Sequence, residues 1–389
     1  MRPDTLLAHL RTRTPAMVEA LAALVAVESP STDPSDCGPC ADVLAGIGER
    51  ALGAAPERLE VDGRSHLRWR FGDAPRVLIL GHFDTVWPLG TIDRWPFEID
   101  GDRATGPGSF DMKGGLVQGL EALRALGELG ELGELGGVEL LYTSDEEVGS
   151  PTSRGFIEAS AREAVAALVL EPAIDGALKT GRKGVSTYVL EIAGRAAHAG
   201  LEPEKGINAL VELAHQALAI AALNTPAIGT TVTPTVASAG TMVNVVPAAA
   251  RLEVDVRATS PEEQLRVDDA LRALVPSLPG ARLTLVGAPN RPPFPVSASR
   301  DLFAIAVRLG SELGLGELGG VEVGGGSDGN FTANVGTPTL DGLGPVGAGA
   351  HAEGEHVMVD SMAERAALVA ALVSELVGRP ESRPHLTPA

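Results

Sequence analysis

The chain has 389 residues, and its 51 acidic and 31 basic side chains give a net charge of −20 at neutral pH. This negative charge repels nucleic acid and anionic membranes, and no basic tract offsets it, so we expect neither as a partner. A chain of this length exceeds one ordinary hydrophobic core, which predicts two domains or one core with a large insertion.

Residues 1–30 predict a helix rich in leucine and alanine, interrupted by Glu19 and Glu28. They lack the continuous apolar stretch and the small-residue cleavage site of a secretory signal peptide. No other segment approaches the roughly 18 consecutive apolar residues that a transmembrane helix needs. We therefore expect a soluble protein located in the cytoplasm.

The two cysteines of the chain, Cys37 and Cys40, have the Cys-Gly-Pro-Cys spacing of thioredoxin-like redox proteins. In such proteins the motif follows a strand and begins a helix, and the helix N-terminus lowers the pKa of the first thiol. Here the preceding residues, SPSTDPSD, indicate a loop, although a helix is predicted afterwards. A redox or binding function of Cys37 and Cys40 stays open, beside the alternative of an incidental loop pair.

Between residues 66 and 172, short apolar strands alternate with helical patterns. The predicted strands are HLRWRF, RVLILGH, VELLYTS and AALVLEP, and the predicted helices are MKGGLVQGLEALRAL and SRGFIEASAREA. Strands separated by helices at this spacing predict an α/β sheet with parallel strands. The binding crevice of such a sheet lies at the carboxyl ends of its strands.

The pattern changes from about Gly184, where alternating segments around one long helix predict a smaller antiparallel sheet. This second pattern ends near the proline-rich segment NRPPFP, after which helical and glycine-rich segments resume. We therefore predict a first domain made of residues 1–184 and 295–389 and an inserted domain at 185–294. The Gly-Glu-Leu run at 127–137 predicts a low-complexity loop.

His82 and Asp84 lie two residues apart at the end of the predicted strand RVLILGH, a spacing that points both side chains the same way. A metal-bound histidine usually donates from its second ring nitrogen to an acceptor, for which Asp84 is a candidate. Asp111 precedes Lys-Gly-Gly, where the glycines let the backbone approach a bound group. Each feature has an ordinary alternative: His82 as a loop residue, and Asp111 as the N-cap of the next helix.

Further acidic and imidazole groups follow the neighbouring strands. Glu146 and Glu147 follow VELLYTS in an acidic run with Asp145, Glu171 follows AALVL, and His351 lies in a glycine-rich loop. Carboxylates gathered at one sheet edge repel one another unless cations separate them. We therefore interpret the acidic run as facing two divalent metal ions, and this mixture of oxygen and nitrogen ligands suits Zn²⁺, Mn²⁺ or Co²⁺.

One carboxylate can bridge two ions that lie roughly 3.5 to 4 Å apart, as in two-metal hydrolytic sites. Asp111 is the candidate for this position. One of the adjacent residues Glu146 and Glu147 can then bind metal, while the other stays available for proton transfer.

The segment GGGSDGN suggests a different chemistry, because residues 325–329 have the Gly-x-Ser-x-Gly pattern of serine hydrolases with Ser327 as nucleophile. A serine hydrolase would leave the metal-type ligands unexplained, so we rank it below the metal hypothesis. A phosphate-binding loop is not supported, because none of the accompanying glycine-lysine or strand-helix motifs is present.

Taken together, the motifs of the chain and their order resemble those of the M20 family of zinc peptidases and deacylases, particularly its glutamate carboxypeptidase branch. The motifs span nearly the whole chain: GHFDTV, GSFDMKGG, SDEEVGS, VLEP, GRAAHAG, VNVVPAAARLEVDVRA, GGGSDGN and GAGAHAEGEHV. An ordered set is more specific than any single motif. The resemblance implies a catalytic domain with a mixed sheet flanked by helices, and an inserted α+β domain that serves as lid and dimerisation domain of a homodimer.

The resemblance also implies two zinc ions per chain, with Co²⁺ or Mn²⁺ as alternatives. The implied ligands are His82, Asp111 and Glu171 for one ion, and Asp111, Glu147 and His351 for the other. Glu146 would be the general base, and Asp84 would orient His82.

Within the inserted domain, His198 matches a histidine that stabilises the oxyanion and can reach the site of a partner subunit. Asn244 and Arg257 match positions that contact the carbonyl and carboxylate groups of the substrate. Arg291 matches an arginine of the glutamate carboxypeptidase branch.

Two of these assignments have alternatives in the sequence itself. Arg257 has acidic neighbours, Asp255 and Glu253, with which it can form a surface ion pair instead. The segment DGALKTGRKGVST does not align with the substrate-side lysine and serine of the branch, so the roles of Lys179 and Lys183 stay open.

The sequence thus predicts a two-zinc amidohydrolase that removes a C-terminal amino acid, of the glutamate type, from peptides or N-acyl amino acids. An arginine such as Arg257 would bind the free carboxylate of the substrate in a bidentate pair. The alternative is an N-acyl-amino-acid deacylase that resembles acetylornithine deacetylase or aminoacylase. A thiol redox or binding module is the third hypothesis.

Overall fold

The computed structural model describes residues 3–130 and 136–378, and the chain divides into two compact units. The first unit comprises Met1–Gly181, Val296–Val323 and Ser327–Ala389, and the second comprises Arg182–Pro295 and Gly324–Gly326. The first unit is therefore discontinuous in sequence. The catalytic and lid roles of the two predicted domains stay predictions.

The helices, numbered in chain order, are α1 Pro3–Val25, α2 Gly38–Leu52, α3 Thr91–Arg94, α4 Gly114–Glu128, α5 Arg154–Glu163, α6 Ala209–Ala221, α7 Pro261–Arg272, α8 Arg300–Glu312, α9 Gly329–Asn334 and α10 Val359–Gly378. The strands are β1 Glu57–Val61, β2 Arg64–Phe71, β3 Val77–His82, β4 Glu98–Asp100, β5 Arg103–Thr105, β6 Val138–Thr143, β7 Ala166–Val169, β8 Leu178–Arg182, β9 Gly184–Ala193, β10 Thr231–Ala239, β11 Ala249–Ala258, β12 Arg282–Arg291, β13 Gly320–Val323, β14 Thr339–Leu340, β15 Gly347–Ala348 and β16 His356–Met358. The predicted low-complexity loop begins within the last turn of α4, and its residues 131–135 lie outside the described residues.

A six-stranded mixed sheet, in the order β1-β2-β6-β3-β7-β14, forms the centre of the first unit. β3 pairs in parallel with β6 and β7, and β7 with β14, whereas β2 pairs antiparallel with β1 and β6. Val77 and Ile79 of β3 belong to the core formed with α1, α2, α4, α8 and α10, while Leu78 and Leu80 belong to the core formed with α5 and α9. The mixture of parallel and antiparallel pairs confirms the mixed sheet that the family resemblance implies, whereas the parallel pairing expected from the strand-helix pattern is wrong for β2. Helices on both faces explain why β3 is a continuous apolar run.

Helix α4 packs directly against the sheet because two glycines remove the side chains that would separate them. A Cβ atom on Gly115 would lie 2.3 Å from the carbonyl oxygen of Leu170, and one on Gly119 would lie 2.6 Å from Leu170 Cδ1. A close-packed interior has no room for such contacts. The start of α4 therefore lies against the residue that directly precedes Glu171.

The second unit contains a four-stranded antiparallel sheet, β10-β11-β9-β12, with α6 and α7 packed on one face. Tyr188, Leu190 and Ile192, at alternate positions of β9, are buried in this core, as a strand period of two requires. The antiparallel sheet and α6 agree with the sequence pattern. Helix α7 has no predicted counterpart, although its start has two typical signals. Ser260 is the N-cap and accepts the Glu263 N–H, and a proline follows it.

Helix α10 also has no predicted counterpart. Its residues are buried on most sides, so no single apolar stripe marks it in the sequence. It packs against α1 and α4 in the core of the first unit. Within residues 3–130 and 136–378, no helix is both long and apolar enough to cross a membrane.

Candidate metal centre

The predicted metal ligands lie at one edge of the sheet of the first unit. His82 is the last residue of β3, Glu146 and Glu147 follow β6, Glu171 follows β7, Asp111 precedes α4, and His351 lies between β15 and β16. Because the parallel strands β3, β6 and β7 end at the same edge, side chains distant in sequence meet there. His351 has a φ of 62°, an uncommon conformation for a residue other than glycine that occurs often at functional sites.

The two carboxylate oxygens of Asp111 face two different histidines. Asp111 Oδ1 lies 3.4 Å from His82 Nε2, and Asp111 Oδ2 lies 3.3 Å from His351 Nε2. Glu171 Oε1 lies 3.6 Å from His82 Nε2, and Glu147 Oε1 lies 3.1 Å from His351 Nε2. Asp111 therefore faces both histidines, and each histidine has a second carboxylate beside it, an arrangement that would suit a bridging carboxylate.

The clusters in which three ligand atoms all lie close to one another combine these residues differently from the predicted groups. Ligand atoms of His82, Asp111 and Glu147 lie within 4.8 Å of one another, as do those of His82, Glu146 and Glu171. Glu146 Oε2 is 3.9 Å from His82 Nε2, slightly farther than the oxygens of Asp111 and Glu171. The assignment of each carboxylate to one ion is therefore part of the functional proposal below.

Asp84 holds the turn that carries the two glutamates. Its Oδ1 accepts the backbone N–H of Glu146 and its Oδ2 accepts that of Glu147, both at 3.1 Å. His82 Nδ1 lies 3.0 Å from the Asp84 carbonyl oxygen and 3.5 Å from Asp84 Oδ1. The backbone of Asp84 thus makes the shorter contact with His82, while its buried carboxylate positions Glu146 and Glu147.

Asp145 differs from its two acidic neighbours. Its buried carboxylate accepts the N–H and Oγ1–H of Thr152 at 2.7 Å each, and the N–H and Oγ–H of Ser153 at 3.2 and 2.5 Å. The interpretation that the whole acidic run faces metal is therefore wrong for Asp145. Its charge is stabilised by four donors in the segment that begins α5, and only Glu146 and Glu147 face the centre.

The carboxylates of the site raise the pKa of both histidines. Hydrogen bonds to Asp111 and Glu147 raise the pKa of His351 to about 11, and burial raises the pKa of Glu147 to about 7. Burial opposes a charge on His82, but its contacts with Asp111, Asp84 and Glu171 outweigh burial and raise its pKa well above the usual value. Without metal, protons on the imidazoles supply the cations.

Two buried atoms at the centre of the site lack a hydrogen-bond partner among the described residues, namely His82 Nε2 and Asp111 Oδ1. Buried polar atoms are normally paired, so this pair of orphaned atoms indicates a bound group. An imidazole nitrogen and a carboxylate oxygen are both suitable donors to a transition metal. The residues present therefore fit a metal ion.

Two buried charged residues near the ligands were not assigned a role from the sequence. Lys179 Nζ lies 3.5 Å from Glu171 Oε2, whereas Lys183 Nζ donates to the Gly229 carbonyl in the second unit at 2.5 Å. Glu355 accepts hydrogen bonds from the loop that carries Asp111, and burial raises its pKa. Its position four residues after His351 is the only sequence signal for it.

In the second unit, His198 and Asn244 lie on two exposed loops joined by backbone hydrogen bonds, one of them from Ala199 N–H to the Asn244 carbonyl at 2.9 Å. His198 Nδ1 accepts the N–H groups of Gly200 and Leu201 at 3.1 Å each. Because Nδ1 is an acceptor, the proton of the neutral ring is on Nε2. His198 therefore presents an N–H donor beyond its own loop.

The two predicted substrate-binding arginines have different surroundings. Arg257 forms a bidentate pair with Asp255, with distances of 2.7 to 3.1 Å, so the ion pair considered from the sequence is present. Arg291 is buried, and its side chain lies close to Gly326. A carboxylate clamp by Arg257 would require the substrate to compete with Asp255.

The two alternative chemistries are not supported by their residues. Ser327 is fully buried, donates to Asp341 Oδ2 at 2.7 Å and accepts the Gly329 N–H, so it is not an exposed nucleophile. Cys37 and Cys40 are buried as well, and burial raises the pKa of Cys37 to about 12. A redox cysteine needs a lowered pKa and access to solvent.

Residues 78–375 match Peptidase family M20/M25/M40. The chain belongs to this family. The resemblance of its motifs is thus confirmed, and the protein is a metal-dependent hydrolase of the M20 type.

Individual relatives include both peptidases and deacylases. The chain is 34% identical over 301 residues to a carboxypeptidase G2 from Pseudomonas sp. (strain RS-16), covering 76% of this chain and 72% of the relative. It is 29% identical over 361 residues to a succinyl-diaminopimelate desuccinylase from Azoarcus sp. (strain BH72), covering 85% and 90%. An M20 family metallo-carboxypeptidase from Sulfolobus solfataricus has the same fold, with a TM-score of 0.73 at 18% identity over 93% of this chain and 98% of that one.

Metal binding at pH 7 should release roughly two to three protons per chain, because His82 and His351, which are protonated without metal, and Glu147, whose pKa is about 7, must lose their protons to become ligands. Since all three pKa values are raised, lowering the pH adds competing protons and should weaken metal binding, and raising the pH should strengthen it. Calorimetric titration with ZnCl₂ in two buffers of different ionisation enthalpy measures the proton release. A value near zero would contradict the placement of both imidazoles at the cations.

Substitution of Cys37→Ser should leave chelator-sensitive amidase activity unchanged, because the thiol is buried and protonated at neutral pH. Both cysteines should react with a thiol reagent only after denaturation. The measurement combines amide hydrolysis with thiol labelling of native and unfolded protein. Rapid labelling of the native protein, together with loss of activity in a folded Cys37→Ser variant, would restore the redox hypothesis.

Proposed function

We propose that the protein is a two-metal amidohydrolase that removes a C-terminal amino acid from a peptide or N-acyl amino acid. The observation that carries the proposal is the position of Asp111, whose two oxygens face His82 and His351 at 3.4 and 3.3 Å. A single carboxylate placed between two histidines has the geometry of a shared ligand. The relation to carboxypeptidase G2 supports the choice of the C-terminal amide bond.

Zinc is the proposed metal at both positions. His82, Asp111 and Glu171 would hold one ion, and Asp111, Glu147 and His351 would hold the other. When bound, such ions polarise the carbonyl of the amide and lower the pKa of an attacking water molecule. The absence of thiolate ligands and the mixture of imidazole with carboxylate fit zinc, while Co²⁺ and Mn²⁺ accept the same ligands.

Glu146 is the proposed general base. Its carboxylate lies 3.9 Å from His82 Nε2 and is outside the two ligand sets proposed above. It would take the proton from the attacking water and later deliver it to the leaving nitrogen, as a single acid-base group can do in both steps. Asp84 fixes its position through the backbone N–H of Glu146.

The proposed substrate contacts come from the second unit. His198 would donate from Nε2–H to the oxyanion of the tetrahedral intermediate. The Nε2–H group is available because Nδ1 is already used as an acceptor. Asn244, Arg257 and Arg291 would contact the carbonyl and carboxylate groups of the substrate. These contacts, the homodimer formed through the lid domain and the cytoplasmic location are proposed from the family resemblance and the sequence.

An N-acyl-amino-acid deacylase is the second candidate. The succinyl-diaminopimelate desuccinylase relative aligns over more of this chain than carboxypeptidase G2 does, 85% against 76%, although at lower identity. Both reactions cleave an amide next to a free carboxylate and need the same metal centre. The difference lies in the acyl group and in the side chain of the released amino acid.

The variant Glu146→Gln should lower kcat by about 10²- to 10⁴-fold, because it removes the proton-transfer group. Its metal content and KM should change little, since Glu146 belongs to neither ligand group. Steady-state kinetics combined with metal analysis provides the measurement. Glu49→Gln on the exposed side of α2 is the matched control, and a Glu146→Gln variant that keeps full kcat would exclude Glu146 as the base.

A substrate panel should separate the two candidate reactions. Acyl-glutamates and dipeptides with a free C-terminal carboxylate should be cleaved, and amidation of that carboxylate should lower kcat/KM by roughly 10- to 100-fold because a charged hydrogen bond is lost. Rates measured by amino-acid release test this expectation. Cleavage restricted to N-succinyl or N-acetyl diamino acids, with intact dipeptides, would instead identify the deacylase.

A further inference from the structure

Glu355 is a buried carboxylate beside the metal centre whose acceptor positions are all used by protein donors. Its Oε1 accepts the backbone N–H groups of Phe110 and Asp111 at 2.8 Å each. Its Oε2 accepts the Gly108 N–H and the Trp87 Nε1–H at 3.0 Å each. An ionised carboxylate has about four lone-pair positions. These four bonds therefore leave Glu355 no capacity to bind metal itself.

The hydrogen bonds of Glu355 join two loops that each carry a ligand. Its carboxylate binds the loop before α4, which presents Asp111. Its own backbone belongs to the loop of His351, where the Glu355 N–H donates to the Ala352 carbonyl at 3.1 Å. The Gly106 N–H donates to the Glu355 carbonyl at 3.4 Å and adds a second link between the loops.

We propose that Glu355 is a positioning residue that sets the separation of Asp111 and His351, and so builds the metal site that these two residues share. The inference rests on the two-metal function proposed above. Asp111 Oδ2 and His351 Nε2 are 3.3 Å apart, and both residues lie on loops rather than in strands. A metal ion needs its ligands held in place by the surrounding structure. Here Glu355 binds the backbone N–H of Asp111 and links its loop to the loop of His351.

The two metal sites depend on Glu355 to different degrees. The other site uses His82 and Glu171, which are held by the ends of β3 and β7, and only its third ligand, Asp111, contacts Glu355. Loss of Glu355 therefore disturbs one of three ligands in that site. In the site of His351, it disturbs two of three.

The test compares Glu355→Gln with Glu353→Gln in the full-length protein. Glutamine keeps the shape of the side chain, but its NH₂ group cannot accept, so two of the four donors lose their acceptor whichever way the amide points. Glu353 is exposed, lies two residues away, and is 3.7 Å from Arg94, so its substitution removes the same charge without touching the Asp111 loop. Melting curves verify that each variant is folded.

Calorimetric titration with Zn²⁺ and with Co²⁺ should resolve two ions in the wild-type protein. In Glu355→Gln, the affinity of one ion should fall by about 10- to 100-fold, while that of the other changes by less than about threefold. Glu353→Gln should match the wild type. Bound metal after dialysis should accordingly drop from two ions per chain toward one in Glu355→Gln alone.

Glu355→Asp provides a second variant if Glu355→Gln does not fold. Its carboxylate is shorter by one methylene and cannot reach all four donors, so one affinity should again fall selectively, by roughly 10-fold. Wild-type affinity for both ions in a folded variant, or an equal loss at both sites, would overturn the positioning role of Glu355. Fewer than two ions in the wild-type protein would instead overturn the proposed two-metal function, and this inference with it.

Discussion

Repulsion among carboxylates at the edge of the sheet is the constraint on which the site depends. Asp111 lies between His82 and His351. Glu171 is close to His82, and Glu147 is close to His351. This density of negative charge raises the pKa of His351 to about 11, where the hydrogen bonds to Asp111 and Glu147 are the main cause. The edge must be occupied by protons or by metal ions, so metal binding and the order of the surrounding loops are thermodynamically linked.

The carboxylates that do not face the cations are stabilised in a different way, by N–H and O–H donors of the protein. Asp84 accepts two backbone N–H groups from the turn after β6, and Asp145 accepts four donors from the segment that begins α5. Glu355 does the same for the loop before α4. Each of these acids binds a segment that carries or adjoins a proposed metal ligand. Buried carboxylates thus bind the backbone of the segments that surround the site.

The sequence predicts the positions of the sheet strands because burial on both faces produces continuous apolar runs such as β3, but the pattern does not reveal that β2 is antiparallel. It also places His82 and Glu171 near one another, since both follow parallel strands of that sheet. The supporting roles of Asp145 and Glu355 depend on hydrogen bonds between loops, which leave no periodic pattern in a sequence. The burial of Cys37 is equally invisible in the sequence. It raises the pKa of the thiol to about 12, although a helix begins directly after this residue.

Lys179 shows that the edge is not uniformly negative. Its Nζ lies 3.5 Å from Glu171 Oε2, while Glu171 Oε1 faces His82 at 3.6 Å. The two oxygens of Glu171 are therefore directed at two different groups, the ammonium group of Lys179 and the imidazole of His82. Lys183, in contrast, donates to a carbonyl of the second unit. Of the two lysines that the sequence left open, Lys179 is the one whose charge lies beside a proposed metal ligand.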